Sequence, residues 1–161
     1  YGNATATQAN ADVVTAYNHY KALPTSGSAY VIGSTTPVAT IPVAFSGHRF
    51  EAGVFNIAGA TTAAGEIQLD GQGDANAEFI FQLGAAFAPS GATFITLLNG
   101  ARSRNVYFVA TGAVAIGAGA QLKGTVFAGT TMGLATLTSH EGRLFSGSTM
   151  TLATGASITA S

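Results

Sequence analysis

Between Tyr107 and Ala160, apolar and small residues return at a fixed interval of eighteen positions. Cut at that interval, the chain reads YFVATGAVAIGAGAQLKG, TVFAGTTMGLATLTSHEG and RLFSGSTMTLATGASITA. Val114, Met132 and Met150 share one column, and Ile116, Leu134 and Leu152 share another. A column of small residues, Ala115, Gly133 and Thr151, lies between them. Alternation of apolar, small and apolar positions has the period of a β-strand. A repeat of this length whose apolar positions align is the pattern of a solenoid. The pattern therefore predicts a β-helix in which each line is one coil and each column a ladder. From Gly47 to Ala110, strand-like runs (RFEAGVFNI, EIQLD, EFIFQL, ATFITLL, NVYFVA) alternate with glycine-rich turns at looser spacing, as expected of earlier coils that carry insertions.

The first residues follow a different period. Residues 7–23 contain no Gly or Pro, and Val13, Ala16, Tyr17, Tyr20 and Leu23 fall on one face at helical spacing. A helix is predicted there, capped by Thr7 or Asn10 and stopped by Pro24, with its apolar stripe against the β-structure. Residues 24–46 hold Pro24, Pro37 and Pro42 and read as a connection with short β pieces at 29–32 and 38–45. The coils then occupy residues 47–161 of one domain.

Composition narrows the picture. Hydrophobic residues make up 47% of the 161, charged residues only 8%, and the formal net charge is −1. That is far below the usual charged quarter, and it leaves no basic footprint for nucleic acid or an anionic membrane surface. No apolar run is long enough to insert into a membrane. Cysteine is absent, so there is no thiolate chemistry and no disulfide framework. The chain opens at Tyr1 rather than Met, as a processed product does.

If Val114, Ile116, Met132, Leu134, Met150 and Leu152 point inward, their neighbours point outward. The outer rows are then Ala113, Ala115 and Gly117; Thr131, Gly133 and Ala135; and Thr149, Thr151 and Ala153. This patch is flat and uncharged, suited to ordered water or to packing against another subunit. Other candidates are weaker. Asp70, Asp74, Asn76 and Glu78 have a spacing similar to a calcium loop but lack the required Gly and terminal Glu positions, so a solvated turn is expected and no metal is assigned. His140 falls in the column of Leu122 and Ile158, where a satisfied or partly buried ring is expected. Glu141 beside it must face the other way. His19 and His48 have no ligand partners nearby in sequence, and Arg102, Arg104, Lys123 and Arg143 lie scattered near turns. A polysaccharide-cleaving enzyme needs clustered carboxylates, and the seven acidic residues show no aligned outer pair. No cofactor is implied.

LDGQGDANAEFIFQLG (69–84), LLNGARSRNVYFVATGAVAIGAGAQLKGTVFAGT (97–130) and EGRLFSGSTMTLATGASI (141–158) resemble, in this order, the bacterial and fungal ice-binding proteins that share the DUF3494 domain. The helical segment ANADVVTAYNHY sits where that family has its long helix. The resemblance spans roughly residues 6–160. It implies a mostly β fold: a right-handed discontinuous β-helix of triangular cross-section with one long α-helix packed alongside. It also implies a non-enzymatic protein, secreted or on the cell surface, that binds ice through a flat face. The family's usual β segment before the helix is not seen in this sequence, so either the mature product lacks it or a neighbouring subunit is expected to supply the missing strands. The alternative expectation is a structural or adhesive surface module of the same fold, self-assembling into a filament.

Overall fold

The computed structural model describes residues 4–38 and 40–161. Helix α1 spans Ala4–Ala22. It begins three residues before the expected cap at Thr7, and Asn10 lies well inside it. Ala4–Thr7 holds neither Gly nor Pro, so nothing there interrupts helical backbone. The predicted stripe is the face that packs: Val13, Ala16, Tyr17, Tyr20 and Leu23 are half-buried while the residues between them are exposed.

After α1 comes a short strand, β1 (Ala29–Val31), and then a stack of coils. The first coil holds β2 (His48–Glu51), β3 (Gly53–Ile57) and β4 (Thr61–Ala63), and the second β5 (Glu66–Asp70), β6 (Phe79–Leu83) and β7 (Phe87–Pro89). The third holds β8 (Phe94–Leu98), β9 (Val106–Ala110) and β10 (Val114–Ile116). In the fourth, a single bent strand, β11 (Gln121–Ala128), serves two sides before β12 (Met132–Leu134). The fifth repeats this with β13 (Ser139–Ser146) and β14 (Met150–Leu152), and β15 (Ser157–Thr159) opens a sixth. Each strand pairs in parallel with its counterpart one coil away, giving three flat faces and a triangular section. The solenoid is a right-handed β-helix, the hand that parallel crossovers take.

Two glycines make the bends possible. Gly124 and Gly142 sit in register at the bend of β11 and β13, with φ of 117° and 141°. A Cβ on Gly142 would run into the carbonyl of Gly124, and one on Gly124 would meet the Val106 carbonyl at 2.6 Å. Only glycine lets the coils close to stacking distance at this corner.

The core is aromatic in the wide early coils. Phe45, Phe50, Phe55, Phe81, Phe87 and Phe108 are fully buried, and Phe81 stacks on Phe108 at 4.8 Å. The later, shorter coils fill with Leu122, Val126, Met132 and Leu134. The expected inward columns are buried at Val114, Ile116, Met132 and Leu134. In the last coil Met150 is half-buried and Leu152 is 51% exposed, because no further layer covers them. The opposite end is closed by residues 24–46. Ser26 donates to the Val54 carbonyl, β1 pairs antiparallel with β2, and Phe45 donates to Thr62. Of the two β pieces expected in that connection, the first is β1. In the second, residue 39 lies outside the described residues, and among the rest Ala44 forms an isolated bridge with Thr62.

Helix α1 covers the second face, formed by β3, β6, β9 and the second halves of β11 and β13. Tyr20 stacks on Tyr107 at 4.2 Å, and Tyr17 meets the edge of Phe127. Gln82 ties the helix end down: its Nε2 donates to the carbonyls of Tyr20 and Leu23 at 2.9 and 2.7 Å, while its Oε1 accepts from Asn56. The last carbonyls of a helix lack intrahelical donors, and the Gln82 amide supplies one to Tyr20 and bonds Leu23 just beyond the helix end.

Candidate functional site

The faces differ in chemistry. The second lies under α1. The first, built on β2, β5, β8, β11, β13 and β15, carries Arg49, Glu51, Glu66, Lys123 and Glu141. Lys123 Nζ lies 2.7 Å from Glu141, whose other oxygen accepts from Ser103. The lysine first, then the hydroxyl, hold the Glu141 carboxyl below its ordinary range. Arg49 stands 3.6 Å from Asp70 and stacks over Tyr30.

The third face, β4-β7-β10-β12-β14, is uncovered, and its outward strand positions are uncharged. Its outward column is Thr62, Ala88, Ala115, Gly133 and Thr151. The residues before each strand are Ala60, Ala86, Ala113, Thr131 and Thr149, and those after are Ala64, Ser90, Gly117, Ala135 and Ala153. Nothing in these five rows is longer than Thr. Rows are locked by backbone bonds: Thr61 donates to Ala86 at 2.8 Å, Phe87 to Ala113, Val114 to Thr131 and Met132 to Thr149 each at 2.9 Å. Underneath, Thr61, Phe87, Val114 and Met132 are buried and hold the rows rigid. Strand geometry sets the grid at about 4.8 Å between rows and about 6.7 Å between alternate positions along a row.

All nine outward residues expected from the repeat lie together on this face. The rows of Thr62 and Ala88 extend it by two coils that the eighteen-residue repeat does not reach. The interval there is longer because turns at 71–78 and 99–105 interrupt it. The apolar pairing of Phe87 with Val114 across β7 and β10 is the signal that links them.

The other expected candidates take structural places. Asp70 accepts from the Gln72 amide and Asn99 Nδ2, and Asp74 accepts from the Asn76 amide, so both carboxylates cap turns. Among the described residues there is no group of three or more His, Asp or Glu arranged for a metal ion. His48 Nδ1 bonds the Ser46 carbonyl at 2.8 Å. His140 pairs with Leu122 and Ile158 as expected and is fully buried. Neither ring nitrogen makes a well-formed hydrogen bond, although the backbone carbonyls of Gly124 and Arg143 lie close to the ring, and burial lowers its pKa below the ordinary histidine value. A groove of about 330 Å³ lies away from the third face, between Val13 and Tyr17 of α1 and Phe127 and Phe145.

The third face is thus an uncharged, repetitive array of small side chains on a solenoid of parallel strands. The chain is a member of the ice-binding-like family, whose profile matches residues 2–158. It is 31% identical over 140 residues to ice-binding protein 1 of Shewanella frigidimarina, matching 84% of this chain. It is 32% identical to an ice-binding protein of a Nostoc species over 52% of this chain. The chain spans only 15% and 31% of those two proteins' lengths. Its fold matches the ice-binding protein of the Antarctic ascomycete Antarctomyces psychrotrophicus with a TM-score of 0.84 and 30% identity, covering 98% of this chain and 71% of that one. It matches the DUF3494 domain of the Shewanella protein with a TM-score of 0.81 and 26% identity, covering 96% and 62%.

Proposed function

We propose that the protein adsorbs to ice through its third face, acting outside the cell and without catalysis. The observation that carries this is the five-row grid centred on Thr62, Ala88, Ala115, Gly133 and Thr151, which is flat, uncharged and backed by buried strand residues. Methyl groups restrict the water beside them, and the Thr and Ser hydroxyls anchor it by hydrogen bonds. The scaffold is already ordered, so adsorption costs little conformational entropy. Adsorbed protein pins the surface, ice grows between pinning points as curved fronts, and the local freezing point falls.

The test is thermal hysteresis and ice shaping by the purified protein, with Thr131→Tyr, Thr149→Tyr and Ala88→Tyr as steric probes. Each tyrosine lifts a ring off the plane without touching the core. Hysteresis is expected to fall sharply in all three while the thermal midpoint stays put. Full hysteresis in every variant would place the ice-binding surface elsewhere. A second reading, a self-assembling surface module, draws on the uncovered last coil, where Leu152 and Ile158 open to solvent at 51% and 42%. Fibres under the electron microscope without hysteresis would favour it.

A further inference from the structure

The corner between the third and first faces repeats a tight turn. In three successive coils its third residue takes a positive φ: Gly119 at 84°, Leu137 at 57° and Gly155 at 77°. Two are glycine, the residue that reaches this region without penalty. Leu137 is an L-residue with a branched side chain held in the left-handed region. It is also the most exposed of the large hydrophobic residues, at 74%. Strained backbone and an apolar side chain in water coincide at one position.

The repeated turn requires the positive φ, but it does not require a leucine there. The turn is anchored without the side chain: the Leu137 amide donates to Thr154, and Thr138 Oγ1 donates to the Ala135 carbonyl at 2.8 Å. A glycine there would keep the Leu137 amide bond and lose the strain. Backbone strain that the surroundings over-determine concentrates where a protein acts. Leu137 stands two residues past Ala135, the edge of the fourth row, and its side chain lies beside Gly155 of the next turn. The exposed Thr136 and Thr154 flank it with hydroxyls. On the far side of the corner the first face turns polar, with Ser139 and Glu141.

We infer that Leu137 is part of the adsorbing surface: its isobutyl group, between the hydroxyls of Thr136 and Thr154, extends the flat face around its corner and contacts the ice-ordered water there. This rests on the third face being the ice-binding face. The strain is retained because glycine, the relaxed residue, has no methyl groups to offer.

The experiment compares Leu137→Gly and Leu137→Asn with the parent, reading thermal hysteresis and thermal midpoint together. Asparagine tolerates positive φ and is close to leucine in size, but is polar. Both variants are expected to lose about twofold or more of the hysteresis. Their midpoints should hold or rise by up to about 3 °C, since relieved strain offsets the added freedom of the unfolded chain. Loss of activity without loss of stability separates a contact from a structural role. Full hysteresis in either variant overturns the inference. The face reading is judged separately by Ala88→Tyr: if that variant loses hysteresis and the Leu137 variants do not, the face stands and only Leu137 is excluded from it.

Discussion

Replacing His140 with leucine should stabilise the protein, and by more as the pH falls. The ring is fully buried, in register between Leu122 and Ile158, and neither nitrogen makes a well-formed hydrogen bond. An unsatisfied buried polar group costs about 1–3 kcal/mol. Leucine is close in volume, continues the apolar column and introduces no polar atom, with a repacking cost below about 1.5 kcal/mol. The net gain at pH 7.5 is about 1–2 kcal/mol, a rise in thermal midpoint of roughly 3–6 °C for a chain of this size. The pH dependence has a definite sign. Burial lowers the folded-state pKa of His140, while the carbonyls of Gly124 and Arg143 and the Glu141 carboxylate oppose that shift only in part. The unfolded chain therefore binds a proton that the folded chain refuses. The stability of the parent is complete above about pH 6.5 and declines below it by up to about 1.4 kcal/mol per pH unit until the folded value is reached. The assay is urea unfolding of parent and variant, followed by circular dichroism from pH 7.5 to 5.0. This window lies above the range in which Glu141, its pKa lowered, takes up a proton. The gap between the two should widen steadily as the pH falls through the window. A gap that stays constant with pH, or a variant less stable than the parent at pH 7.5, would show that the ring is satisfied after all.

Gln82→Ala removes the donor to Tyr20 and Leu23 and the acceptor for Asn56, and should cost about 2–3 kcal/mol in urea unfolding, with faster amide exchange along residues 13–23. Phe81→Ala empties the centre of the stacked rings and should cost about 3–5 kcal/mol, seen as a lower midpoint by calorimetry. Gly142→Ala forces a Cβ onto the Gly124 carbonyl and should destabilise by about 2 kcal/mol or more, whereas an alanine at the open Gly73 turn pays only the backbone strain of positive φ.

Much of the coil architecture was legible because a solenoid is a local repeat: the same inward positions recur, and Val114–Met132–Met150 could be aligned without knowing anything distant. The helical stripe of α1 was legible for the same reason. The nine outward residues followed from strand alternation alone, and they do share one face. What escaped was whatever depends on residues far apart in the chain. Thr62 and Ala88 join the face only once inserted turns are looped out, and no fixed interval reveals that. Gln82 lies about sixty residues from the carbonyls it holds. Leu137 reads as an ordinary apolar residue until its backbone is seen to be left-handed.

By itself, then, the sequence determined the β-helix, its inward columns, its low charge and the small residues of its outward rows, because strand periodicity and composition are local properties. Only the tertiary structure decided which of three faces stays bare. That depends on α1 covering one face, on the ion pairs falling on another, and on parallel pairing bringing five short strands from residues 61–152 into a single plane.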